Sequence, residues 1–331
     1  WQTLNPMEIQ MAHMIDTFSR ATASYASTQR EWHGLGQLMV PGASIEEWQA
    51  QAGMDYKVQR SVIRYATQRD IATPDQFRTV DDKHVLFRSD TGAPLGVVSD
   101  SYKVVQPTEV LEFFRDWAEQ GGLTIESAGV LFGGKRYFAT AKLADAVSID
   151  GGRDTVVPYA LLSTSADGSL ATECRWTTVR TVCNNTLTMA RKGAAAFKVS
   201  HRSVFVADDA RKAVEDAHAE FGAFMTAARH LAAIKVDQEW AEHHTLQLLM
   251  KTNEEVTRAS AGFNRIMGLF NGEAKGSNFE TAHDTAWGWL NAVTEYADHH
   301  IRTRSDENRK ASALWGPGDA LKAKALGLVT A

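Results

Sequence analysis

Cysteine is nearly absent from this 331-residue chain. Cys174 and Cys183 are the only two, and their separation of nine matches no zinc-ligand spacing. On a strand, an odd separation places them on opposite faces, which argues against a local disulfide. A reduced, cytoplasmic setting is the simplest reading. No apolar run approaches the ~18 residues that a membrane helix requires. Trp1 to Gln10 lacks the basic-then-apolar order of a secretory signal. Met11-Ala12-His13 reads as the natural start, with residues 1–10 as an extension. The phosphate-cradling loop of nucleotide hydrolases, the dinucleotide glycine fingerprint and the Gly-x-Ser-x-Gly elbow are all missing. No carboxylates form a recognisable catalytic pair. The expectation is a protein that is not an enzyme and uses no cofactor.

Acidic residues are missing from one stretch. Cys174 to Ala207 contains no Asp or Glu, yet holds Arg175, Arg180, Arg191, Lys192, Lys198 and Arg202. That segment carries +6 in a chain of net −5, with Trp176, Phe197 and Phe205 among the cations. Phosphate-bearing ligands are attracted by such charge, and unpaired bases stack on aromatic or guanidinium planes. Equally, the 40 acids of the chain supply internal partners.

Hydrophobic residues make up 44% of the chain and charged residues 23%, which suits a folded globular protein. Ser44 to Glu47 forms a capping box ahead of a short helix. Strand-like residues at 56–65 and 83–88, the Asp90-Thr91-Gly92 turn and Leu95 to Val98 predict a hairpin. Pro107-Thr108 opens a helix that ends at Gly121-Gly122. Strands follow at 123–132, 135–143, 155–165 and 170–182, with turns at Gly133-Gly134 and Asp167-Gly168. Along the last strand, Trp176, Thr178 and Arg180 share one face, and Arg175, Thr177 and Val179 the other. Asn184 is placed to cap a helix through Leu187, Met189 and Ala190. Further helices are predicted near 208–233, 237–251, 254–271, 279–302 and 307–327, with a loop at 271–277. The fold class is α+β. An antiparallel β-meander packed with helices (residues 1–206) precedes a mostly helical region (207–331).

Histidine clusters offer little. His33, in Trp32-His33-Gly34-Leu35-Gly36, has no partner fixed by spacing, and the glycines fit a turn with a packed Trp and His. Adjacent histidines at His243-His244 and His299-His300 point about 100° apart on a helix, so no metal site is expected. Lys135 and Arg136 follow a flexible turn, and Asn184 and Asn185 either cap a helix or contact phosphate or base.

Trp32–Gly36, Val179–Leu187 and Trp287–Tyr296 resemble signatures of the phage/plasmid-like proteins of domain-of-unknown-function family 932. Asn308-Arg309 through Trp315-Gly316 and Ala320-Leu321-Lys322 also fit, so the resemblance runs from about Met11 onward. It implies carriage on mobile elements in a bacterial cytoplasm and supplies no active site. Phages and conjugative plasmids often encode ATP-independent single-strand annealing proteins, whose core is a small antiparallel sheet with a helix. Leu123 to Lys192 is similar in outline, by layout and not by motif.

The expected function is therefore single-stranded DNA binding and annealing in a recombination system, by a homo-oligomer in a ring or filament. The candidate contacts are Lys135, Arg136, Arg175, Trp176, Arg180, Asn184, Arg191, Lys192, Lys198 and Arg202. Charge reversal at Arg175 and Arg180 together is expected to abolish binding and leave the fold intact. The alternative is a protein-binding anti-defence or regulatory factor of a mobile element. A metal-dependent nuclease is a third reading, resting only on scattered His and Asp.

Overall fold

The computed structural model describes residues 24–25, 37–40, 42–67, 77–121, 123–182, 185–188, 207–250 and 260–330. After two-residue strands β1 (Ser24–Tyr25) and β2 (Gln37–Leu38) comes helix α1 (Ile45–Gln51). Its capping box is formed as predicted, with Ser44 and Glu47 exchanging hydrogen bonds. Strands β3 (Val58–Ala66), β4 (Phe77–Arg88) and β5 (Pro94–Ser99) make a three-stranded antiparallel sheet. Helix α2 (Pro107–Gly121) follows.

Strand β6 (Thr124–Leu131) leads through a short 3-10 turn, Phe132–Gly134, to β7 (Arg136–Lys142). Strands β8 (Val147–Ser148), β9 (Thr155–Ser165), β10 (Glu173–Arg180) and β11 (Asn185–Thr188) complete the larger sheet. Its order is β11-β10-β9-β7-β6-β1-β2, with β8 also on β9. From β6 to β11 every pairing is antiparallel, so the expected meander is present.

Period-two alternation splits this sheet into two faces. Tyr137, Ala139 and Ala141 on β7 and Cys174 and Trp176 on β10 face inward and are buried. They share a cluster with Val110, Leu111 and Phe114 of α2. Burying each such leucine or phenylalanine contributes about 1.5–3 kcal/mol. The same cluster includes residues from Met39 to Ala325, so sheet and C-terminal helices share one core across the 206/207 boundary.

The C-terminal helices are α3 (Ala207–Ala233), α4 (Gln238–Leu249), α5 (Ala261–Gly268), α6 (Ala286–Glu295), α7 (Asp306–Trp315) and α8 (Pro317–Val329). Two departures from expectation have local causes. The helix predicted over 279–302 begins only at Ala286, where the Thr285 side chain caps it, and ends in a π-helical turn, Tyr296–His300. The helix predicted over 307–327 is two helices, because Pro317 cannot continue α7 but suits the first turn of α8. The loop predicted at 271–277 starts as a second π-helical turn, Leu269–Glu273.

Helices α6 and α8 pack against the β11 edge, while α7 covers the outer face of the sheet. Leu290 of α6 and Leu187 of β11 line one small cavity on the inner side. On the outer side, Ala313 and Leu314 of α7 pack on Leu131, Phe138 and Leu161. Trp315 also donates its indole N–H to Ser163 Oγ at 2.9 Å.

Candidate nucleic-acid interface

Arg180 is the last residue of β10 and only 4% exposed. Its Nε and Nη2 donate to the two carboxylate oxygens of buried Asp154 at 2.6 and 2.8 Å. Thr281 Oγ1 (2.6 Å) and the Trp287 indole N–H (3.1 Å) donate to the same carboxylate. A fork-on-carboxylate pair with two further donors is a satisfied buried network. It fastens the start of α6 to the sheet. The cavity beside it, lined by Thr178, Leu187, Phe224 and Asn291 among others, has room for no more than about one water molecule.

Trp176 is 3% exposed, within the main core. Neither Trp176 nor Arg180 can reach a strand of nucleic acid without unfolding, which corrects the contact role assigned to them. The physical reason is the inward face: period-two alternation places both toward the helices. Charge reversal at Arg180 would set a carboxylate against Asp154, so it tests folding and not binding. Arg175, on the outer face, is one-quarter exposed and pairs with Glu173 (2.8 Å) and with Asp319 of α8 (2.9 Å).

The segment after β10 is a second correction. Residues 185–188, expected within a helix, instead pair with β10 as β11, with Thr186 opposite Val179. Asp298 Oδ2 accepts from the Thr186 amide at 2.7 Å and from its hydroxyl at 3.0 Å. Lys322 Nζ donates to Asp298 Oδ1 at 2.6 Å and to Thr186 Oγ1 at 2.8 Å. Burial pushes the Asp298 carboxyl pKa up, against the pull of the Lys322 ammonium and the Thr186 donors. Remote partners at Asp298 and Lys322, which local helix propensity does not sense, hold this segment extended. Asn184, Arg191, Lys192, Lys198 and Arg202 lie outside the described residues, as do Trp32, His33 and Cys183.

Lys135 and Arg136 stand differently. The turn before them takes left-handed backbone at Phe132 (φ 55°), Gly133 (66°) and Gly134 (100°). At Gly134 a Cβ would meet Tyr56 Oη at 2.6 Å, so only glycine fits. Phe132, with a Cβ, is strained there by about 1–2 kcal/mol, and its amide is held by Glu307 Oε1 at 2.7 Å. Below the turn, the Tyr56 hydroxyl donates to Gly134 O and Arg88 Nη1 to Gly133 O. Lys135 is exposed and has no acidic partner among the described residues. The Arg136 guanidinium lies 5.4 Å from the Phe132 ring centre and its Nε donates to Ser169 Oγ. Nearby on the same outer face, Lys310 Nζ sits 4.2 Å over the Phe138 ring. Cations beside aromatic planes thus mark this turn.

Among the described residues, no three His, Cys, Asp or Glu side chains group as metal ligands. His244 stacks on Trp240 at 3.7 Å, and His300 Nε2 meets Arg265 Nη2 at 3.2 Å.

Residues 94–315, two-thirds of the chain, match the family described as Domain of unknown function (DUF932). The chain belongs to the DUF932 family. No curated protein and no solved structure matches it. The DUF932 segment runs from the first residue of β5 to the last of α7. It contains the Asp154–Arg180 network and the Lys135–Arg136 turn, and two of the three signature stretches. Trp32–Gly36 lies before it, as do β3 and β4.

Sequence reasoning missed the acids that neutralise the arginines. Asp154 and Asp319 lie 26 and 144 residues from their partners. Only the alternation of Trp176, Thr178 and Arg180 on one strand face signalled that Arg180 points where Trp176 points.

Proposed function

We propose that this DUF932 protein binds single-stranded DNA and anneals complementary strands without ATP, as part of a phage or plasmid recombination system in the bacterial cytoplasm. It acts as a homo-oligomer and without covalent catalysis. The observation that supports this reading is the Phe132–Arg136 turn. It leaves Lys135 exposed and places Arg136 beside an aromatic ring, on a face where Lys310 covers another. Single strands present the π-faces of unpaired bases and backbone phosphates, and such surfaces bind both. Among the described residues no helix is long and apolar enough to cross a membrane.

Fluorescence anisotropy of labelled single-stranded and double-stranded DNA across a salt series tests the reading. Salt-sensitive binding that favours single strands is expected, with Lys135→Glu/Arg136→Glu weakening it. Absence of binding at low salt by the folded protein overturns it.

A second reading draws on a different observation. Arg175 and Arg180 spend their charge on internal pairs, as a protein-binding anti-defence or regulatory factor of a mobile element would allow. Recovery of a host defence protein in a pulldown, with no DNA affinity, would favour it.

A further inference from the structure

The three-stranded sheet has one buried face and one bare face. Directly opposed residues share a face. Leu86, Leu95, Val98 and Val58 turn inward and are buried. Tyr65 and Ile63 of β3, opposite Arg78 and Val80 of β4, turn outward, as do Val85 and its partner Val97. Tyr65 is 49% exposed and Val97 57%, so water meets an apolar stripe ending in an aromatic ring. Beyond the end of β5, β3 and β4 continue as a two-stranded ribbon, exposed along most of its length. Such a ribbon is marginal alone in water, and a bare apolar sheet face marks an interaction site.

Charge selects the occupant. Lys83 stands opposite Ser99 on the outward face beside Val97, Arg78 stands beside Tyr65, and Arg64 lies on the reverse of the ribbon. All three are exposed and form no ion pair among the described residues. The described residues 57–67 and 77–88 hold six Lys or Arg against two Asp, in a chain of net −5. Strand β3 carries Arg60 and Arg64 and no acid, so pairing this edge antiparallel with its copy would gather arginines. A polyanion meets no such repulsion. We propose that the outward face of the β3–β4–β5 sheet is a stacking platform for single-stranded nucleic acid: Tyr65 carries a base, Arg78 takes a phosphate beside it, and Lys83 takes a phosphate farther along the strand. This assignment rests on the single-strand reading above and moves its main surface from the Phe132–Arg136 turn to the ribbon.

The test compares the full-length wild type, Tyr65→Ala and Arg78→Glu/Lys83→Glu by anisotropy with labelled oligothymidylate and with duplex over a salt series. Far-UV circular dichroism and light scattering run in parallel. Tyr65→Ala should bind single strands about tenfold more weakly, with a smaller loss for duplex. The double variant should bind still more weakly, and its salt slope should fall by about 1.4, at about 0.7 per phosphate on a single strand. Wild-type binding retained by both folded variants overturns the platform and leaves the single-strand reading standing on another surface. Absence of binding by the wild type overturns both. A change in oligomeric state with unchanged DNA affinity makes this face a contact between copies, which also overturns the platform.

Discussion

Arg180 and Arg78 are both strand arginines, and their fates are opposite. Arg180 is buried against Asp154, with Thr281 and Trp287 completing the shell. Arg78 stands exposed on the ribbon beside Tyr65, with no acid against it among the described residues. The larger sheet uses Arg180 as a fastener for its C-terminal helices; the smaller sheet leaves Arg78 to solvent, although it buries Arg88 against Asp90. Local density of positive charge predicts neither outcome. What decides is whether folding brings a carboxylate from elsewhere in the chain.

The sharpest way to break the contrast is to remove the acid. Asp154→Ala strands a buried guanidinium and should cost about 4 kcal/mol in urea denaturation. Lys322→Met strands the Asp298 carboxylate and should cost about 3 kcal/mol; adding Asp298→Leu should recover most of that, since an apolar pair tolerates burial. Gly288→Ala comes next. Its Cβ would lie 1.8 Å from the Ala282 carbonyl oxygen, and the backbone shift that follows should cost about 2 kcal/mol.

Asp90→Asn is milder, about 1 kcal/mol at pH 7. The Arg88 guanidinium donates to Asp90 and holds its carboxyl below the usual range. A depressed folded-state pKa stabilises above the unfolded value of about 4 and loses that contribution as pH falls through the folded value. The gap between Asp90→Asn and wild type should therefore close on acidification, as read by thermal melts at pH 7 and pH 3. Smallest of all, Arg78→Ala should change stability by less than about 0.5 kcal/mol. A larger loss would mean that Arg78 has a folded-state role and that the two regions are alike.

Much of the fold was legible in local signals. The Ser44 capping box, the Asp90–Gly92 turn, the glycine turn at 133–134 and the strand alternation through Trp176 all describe contacts within a few residues. The sites were less legible because their partners are remote. Trp176 and Arg180 attracted attention for their chemistry, while their inward face was already implied by the spacing. The ribbon escaped notice for the converse reason. Residues 56–65 looked like an ordinary strand, and exposure on both sides follows only once β5 is seen to stop short. Gly288 sits inside the Trp287–Tyr296 signature stretch, whose residues alone do not reveal its role. Its role is to let α6 touch the turn at Ala282.

The wrap around β11 also sets an order of events. Thr186 and Lys322, which close the sheet edge, are 136 residues apart. At a synthesis rate of roughly 5–20 residues per second, the emerging chain holds a finished set of strands for about 7–27 s before the lysine exists. During that interval the β11 edge is a template for any other extended chain. A cell making this protein therefore depends on α6 and α8 arriving before a neighbour does, and a nascent chain stalled ahead of α8 is the species that should stick.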